Sequence, residues 1–170
     1  MATPGVGIGT TSQPSIANVV EQKLRAERVV KSGAGWFITI AVLSAVNSIL
    51  SMSGTGVRFI FGLGISEVVD AMAHRAGTTG YALDLVINGF VAGLFILIWH
   101  FARKGEGWAF WVGMAIYALD GLIVLLFADY LAAAFHGYAL YRIYSGVLGI
   151  SALQAAQAAA IPAGAPIEPH

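Results

Sequence analysis

The sequence contains no cysteine and has few charged residues. Of its 170 residues, 11% are Asp, Glu, Lys or Arg, whereas a soluble domain carries about 25%. The absence of cysteine excludes disulfide bonds, thiolate metal sites and cysteine nucleophiles. The low charge and the 58% hydrophobic residues indicate that lipid, not water, surrounds most of the chain.

The charges that are present balance, with nine Lys and Arg against nine Asp and Glu. This balance provides no basic surface for nucleic acid. The N-terminus has no charged segment followed by an apolar one, so it does not resemble a secretory signal. We expect a flexible N-terminal segment over 1–14 and a Pro-containing tail over 162–170.

Four long apolar runs account for most of the remaining sequence. A helix needs about 20 mostly apolar residues to cross a bilayer. The runs therefore predict an all-α integral membrane protein, a four-transmembrane-helix bundle within 35–161. Its spans cover about 36–53, 82–102, 108–128 and 141–161.

Residues 15–34 precede the first span and have the pattern of an amphipathic helix. Apolar side chains recur at Ile16, Val20 and Leu24, and pairs of opposite charge stand four residues apart. The run Ser32–Gly35 is expected to end this helix. A juxtamembrane helix lying on the lipid surface and an ordinary solvated helix both fit the pattern.

The segment between spans 1 and 2 is apolar over Val57–Ile65, but this run is too short to cross a bilayer and carries Arg58. We expect an interfacial or re-entrant amphipathic helix over 57–76. The sequence leaves these two alternatives open.

The distribution of basic residues predicts the topology. Positive charge collects before span 1 and between spans 2 and 3, at Lys23, Arg25, Arg28, Lys31, Arg103 and Lys104. Basic residues near membrane spans favour the cytoplasm. We therefore expect a multi-pass protein of a bacterial inner membrane with both termini in the cytoplasm.

Asp120 stands near the centre of the otherwise uncharged run Trp108–Ala128. A charged group at the bilayer centre costs roughly 2.5–3.5 kcal/mol on insertion scales, so it needs a partner or a function. Counting helix rise from the expected turns predicts an intramembrane polar layer, with one or two polar side chains from each span. Its members are Asn47, Asn88, Asp120, Ser151 and Gln154.

Two interpretations of this layer remain open. It is either a hydrogen-bonded network that holds four helices in register, or a cavity in which Asp120 binds a proton, a cation or a polar ligand. Because no cation is expected nearby, Asp120 should be a neutral acid that donates a hydrogen bond to an amide oxygen.

Arg142 is expected to form an interfacial ion pair with Asp129, if His136 and Gly137 form the turn between spans 3 and 4. A turn nearer Leu131 would instead bring Arg142 to Asp120.

Glu67, Asp70 and His74 share one face of a helix. Carboxylates and imidazole on one stripe are able to bind a metal ion, but the same stripe is typical of the solvated face of an interfacial helix. No other cofactor is expected, and no motif identifies a catalytic residue.

These features favour a small accessory or scaffold subunit that packs against a larger membrane complex. Gly89 and Gly93 form a GxxxG pattern, which permits close helix packing. The expected partners are the lipid bilayer and either other membrane subunits or further copies of the chain. The alternatives are a small transporter, channel or ligand-binding protein that uses the Asp120 layer, and a metal-dependent membrane enzyme.

The topology is tested with single cysteines introduced into this cysteine-free chain. A cysteine at Gly105 should react with a membrane-impermeant reagent from the cytoplasmic side, and one at Gly77 from the opposite side. Labelling of both positions from the same side would contradict the four-span arrangement.

Overall fold

The computed structural model describes residues 16–52 and 78–160, which form four helices and no strand within these ranges. The helices are α1 (Ile16–Met52), α2 (Thr78–Ala102), α3 (Gly107–Leu126) and α4 (Tyr130–Ala160). The all-α class predicted from the sequence is confirmed. The expected helix over 57–76 and the terminal segments 1–14 and 162–170 lie outside the described residues.

α1 continues without a break through Ser32–Gly35, so the expected end of the juxtamembrane helix is wrong. The physical reason is helix packing. A Cβ atom added to Gly33 would lie 2.5 Å from the Cα atom of Gly146 on α4. Gly33 therefore permits the close approach of two helices and does not form a turn. Ala26 is also buried, and the first part of α1 belongs to the same unbroken helix as the rest.

The four helices form a closed cycle in which α1 contacts α2 and α4, and α3 also contacts α2 and α4. Neighbouring helices run antiparallel, since Gly33 meets Gly146 and the more N-terminal Val30 meets Gly149, further along α4. The C-terminus of α2 and the N-terminus of α1 therefore lie toward the same end of the bundle.

Aromatic side chains fill the centre of the bundle between the level of Asp120 and the end where α1 begins. Phe37 lies 5.9 Å from Phe110 and 6.3 Å from Phe95, measured between ring centroids. All three side chains are fully buried. We refer to Phe37, Phe95 and Phe110 as the aromatic floor.

The two tight turns of the bundle have the same backbone pattern. At the end of α2, the amide of Glu106 donates to the carbonyl of Phe101, and Gly105 has a φ of +89°. At the end of α3, the amide of Asp129 donates to the carbonyl of Val124, and Ala128 has a φ of 59°. Both are Schellman motifs, which need a left-handed residue after the helix.

Asp129 then begins α4 directly. Its carboxylate accepts a hydrogen bond from the backbone amide of Ala132 at 3.0 Å, as expected of a residue that caps a helix N-terminus. The expected turn at His136 and Gly137 is therefore wrong, and α4 begins at Tyr130, well before the predicted start of span 4 at 141.

Large apolar side chains cover the outside of the bundle, including Phe90 and Leu119, which are 72% and 62% exposed. An exterior of this kind is suited to lipid. Three of the described helices are long and apolar enough to cross a membrane, within Ile16–Leu50, Leu85–Ala102 and Gly107–Leu126. α4, where the fourth span was expected, is not among them. It contains His136, Arg142, two glutamine residues and four tyrosine residues.

Candidate functional site

Asp120 is buried and forms a hydrogen bond with His136 from the neighbouring helix. The Nε2 atom of His136 lies 2.8 Å from Oδ2 of Asp120, and the two side chains are 3% and 5% exposed. This imidazole partner was not expected from the sequence. The turn explains the pairing, because Asp120 precedes Ala128 by as many residues as His136 follows it.

The hydrogen bonds of His136 determine how many protons the pair holds. Nδ1 lies 2.8 Å from the carbonyl oxygen of Ala132, which accepts hydrogen bonds but cannot donate them, so Nδ1 carries a proton. The contact between Nε2 and Oδ2 then needs one further proton, since two facing lone pairs would repel each other. That proton lies on Nε2, giving imidazolium and carboxylate, or on Oδ2, giving two neutral groups. The pair has zero net charge in both forms.

The helix rise places other polar residues at the same depth. Gly113 of α3 lies at the level of Phe37, because a Cβ atom there would clash with the Phe37 ring. Ser44 follows Phe37 by as many residues as Asp120 follows Gly113. Because α1 and α3 run in the same direction, Ser44 and Asp120 lie at one level of the bundle.

The next helical turn toward the end of α1 adds three more buried polar side chains. Asn47 and Ser48 lie on α1 and Asn88 on α2, about 5 Å further along the bundle, and all are at least 95% buried. The structure thus brings three predicted members of the polar layer to neighbouring levels, Asn47, Asn88 and Asp120. We use "polar layer" below for Ser44, Asn47, Ser48, Asn88, Asp120 and His136.

Ser151 and Gln154 do not belong to this layer. Both are exposed on α4, and Ser151 lies about 22 Å of helix rise beyond His136. The prediction placed them at mid-depth because it began the fourth helix too late in the sequence.

Tyr117 separates the polar layer from the aromatic floor. Its ring stacks on His136, with centroids 4.4 Å apart and an angle of 17° between the planes. Its edge contact with Phe95 places the centroids 6.2 Å apart. The hydroxyl oxygens of Tyr117 and Ser48 are buried and have no hydrogen-bond partner among the described residues.

His136 is held tightly against α3. A Cβ atom added to Gly121 would lie 3.1 Å from Cβ of His136, so only a very small residue at position 121 lets α4 approach this closely. The stacked Tyr117 ring further restricts the imidazole. These contacts fix the orientation of the imidazole toward Asp120.

The structure does not bring Asp129 and Arg142 together. Asp129 directly precedes α4 and Arg142 lies within it, about 20 Å apart along the helix axis. Asp129 caps the helix at Ala132, whereas the guanidinium of Arg142 lies 5.8 Å from the ring centroid of Trp36. Arg142 also does not reach Asp120, whose partner is His136.

The sequence reasoning missed His136, Tyr117, Ser44 and Ser48 as members of the site. One signal was available for His136, because an Asp that precedes a helical run is a favoured N-cap. Starting α4 at Asp129 brings His136 to the depth of Asp120. No sequence pattern distinguishes Ser44 and Ser48 from other small residues of a span.

The proposed metal ligands Glu67, Asp70 and His74 lie outside the described residues. Within 16–52 and 78–160, no group of three His, Asp or Glu side chains is placed to hold a metal ion. Asp120 and His136 are two side chains of the kind that bind metals, and here each binds the other. The chemistry that this arrangement supports is therefore proton binding and hydrogen bonding.

Comparison with known protein families, curated proteins and solved structures finds no match to this chain.

The pair predicts how substitutions at Asp120 change stability. Asp120→Asn should preserve stability, since its amide can donate to Nε2 of a neutral His136. Asp120→Leu should lower the free energy of unfolding by about 1–2 kcal/mol, because it leaves a buried imidazole nitrogen unsatisfied. Denaturant titration in detergent micelles, followed by tryptophan fluorescence, measures both.

The double variant Asp120→Leu with His136→Leu tests whether the two residues interact. Removing both polar groups should destabilise the bundle by less than the sum of the two single leucine substitutions. Additive effects of the single substitutions would contradict the hydrogen bond.

Proposed function

We propose that this chain is an accessory or scaffold subunit that packs against another membrane-embedded chain through the outer face of α2. The observation that carries the proposal is the position of Gly89 and Gly93. Both are exposed, and a Cβ atom added to either would meet nothing within 4 Å. The GxxxG pattern is therefore not used for packing inside the bundle.

Other glycines of the chain show the contrast. Gly33, Gly113 and Gly146 each lie so close to a neighbouring helix that a Cβ atom would clash. Glycine weakens a helix unless it permits close packing. Two glycines one turn apart on a lipid-facing helix thus support a partner helix at this face.

The side chains around Gly89 and Gly93 complete a surface suited to another helix. Val86, Phe90 and Leu97 are exposed on the same face, at 68%, 72% and 53%. We call these five residues the α2 outer face. Glycines that form a shallow groove beside protruding apolar side chains match the requirements of a packed transmembrane helix pair.

We also propose that α4 crosses the membrane with the other three helices, so that both termini lie in the cytoplasm of a bacterial inner membrane. α4 contacts α1 and α3, which supports its position within the bilayer. Its polar residues are shielded there, since His136 is buried and Arg142 lies against Trp36. The turn carrying Arg103 and Lys104 favours the cytoplasmic side.

The experiment is purification of the full chain in a mild detergent, followed by native mass spectrometry. The wild-type chain should retain a stoichiometric second chain, and Gly93→Leu should lose it because leucine prevents close approach of a partner helix. Gly137→Leu on α4 is the matched control, since Gly137 is also exposed with nothing near its Cβ position.

A wild-type chain that is monomeric and alone at the mildest extraction would overturn the proposal. Equal retention of the second chain by Gly93→Leu and Gly137→Leu would overturn the assignment to the α2 outer face.

A further inference from the structure

We propose that the contact between Asp120 and His136 is a proton-binding site, which exchanges its proton with water that enters the polar layer from the end of the bundle where α1 ends. This inference is independent of the partner at the α2 outer face. It rests on the hydrogen bonds of the pair, on two buried hydroxyl groups and on the uneven distribution of polar residues along the bundle.

One proton of the pair has two possible positions, on Nε2 of His136 or on Oδ2 of Asp120. Because Nδ1 of His136 is occupied at the carbonyl of Ala132, a single proton lies between Nε2 and Oδ2 of Asp120. Moving it from one atom to the other leaves the pair without net charge. With the proton on Oδ2 both groups are neutral, and with the proton on Nε2 they form a hydrogen-bonded ion pair. Neither position leaves an uncompensated buried charge.

Two buried hydroxyl groups near the pair indicate a place for water. The hydroxyls of Tyr117 and Ser48 have no hydrogen-bond partner among the described residues. A buried polar group left in this state costs about 1–3 kcal/mol. Buried water usually satisfies such groups when a site offers it two to four polar partners. Tyr117 stacks on His136 and Ser48 lies one turn beyond Asp120, so water bound to them would lie beside the pair.

The interior of the bundle is apolar on one side of the pair and polar on the other. On the side of the pair toward the N-terminus of α1, Phe37, Phe95 and Phe110 are fully buried, and the Phe37 ring contacts the other two. On the other side, toward the end of α1, the interior contains Asn47, Ser48 and Asn88. Water and protons are excluded by the aromatic floor and accommodated by the polar layer, so access is from one side only. This arrangement is a proton-binding site and not a continuous channel.

Among the residues that the structure describes, few other titratable groups surround the pair. Tyr117 is the neighbour on α3. On α4, Asp129 caps the helix and Arg142 lies over Trp36. Among the side chains that the structure describes on α1 and α2, those at this depth do not titrate, and they are Ser44, Asn47, Ser48 and Asn88. The exchanging proton therefore belongs to Asp120 and His136.

Exchange with deuterated water replaces the shared proton by a deuteron. In deuterated water, a water molecule gives a deuteron to the pair and receives the proton that lay between Nε2 and Oδ2. The net charge of the site does not change, and no oxidant or cofactor takes part.

Infrared spectroscopy of the full chain in phosphatidylcholine vesicles tests the proposal after transfer to deuterated water. Asp120→Asn identifies a carboxylic acid band by its loss, and His136→Gln identifies an imidazolium band. In the wild type, the band that is present should shift to its deuterated position while the amide bands of the core remain unexchanged. The unexchanged amides show that the helices have not unfolded.

The route is tested by Ser48→Val, which should slow the shift because it removes a hydroxyl and fills the polar layer. Thr39→Val, an isosteric change at an exposed position of the same helix, should leave the rate unchanged. A band that fails to shift in the folded wild type would overturn the proton-exchange site. Equal rates in Ser48→Val and the wild type would overturn entry through the polar layer.

Discussion

The hydrogen bond between Asp120 and His136 sets the position of α3 against α4 in the buried interior of the bundle. The two side chains lie 2.8 Å apart and are almost completely buried. Any sliding of one helix along the other by a single turn would separate them and leave two polar groups in an apolar interior. Such groups are costly when unpaired, so the pair favours one register strongly over its neighbours.

Close packing of glycines extends this register to the rest of the bundle. Gly121 lets His136 approach α3, Gly113 accommodates Phe37, and Gly33 meets Gly146 between α1 and α4. Along the bundle, the interior contains aromatic side chains on one side of the pair and polar side chains on the other. The same glycine-based packing inside the bundle makes the outward position of Gly89 and Gly93 informative, because these two have no role in it.

The difference between the two turns shows what the sequence could and could not predict. Apolar runs identified the helices, and Gly105 marked the first turn because glycine readily adopts the left-handed conformation. The second turn uses Ala128 in that conformation, so no glycine marks it, and Gly137 drew the predicted turn away. This shift removed His136 from the predicted site and introduced Ser151 and Gln154. Gly33 was expected to help end a helix, but it lies inside α1. The sequence could not show this, because the contact of Gly33 with Gly146 depends on tertiary packing.

We infer from the two hydrogen bonds of His136 that it shares one proton with Asp120 inside the bundle. Solid-state NMR of the lipid-reconstituted chain, with 15N in histidine and 13C in aspartate, measures this contact directly. His136→Gln and Asp120→Asn identify its signals by their loss. The account predicts dipolar coupling between Nε2 of His136 and the Asp120 carboxyl carbon, together with a protonated Nδ1. Absence of that coupling in the folded protein, or an unprotonated Nδ1, would contradict it.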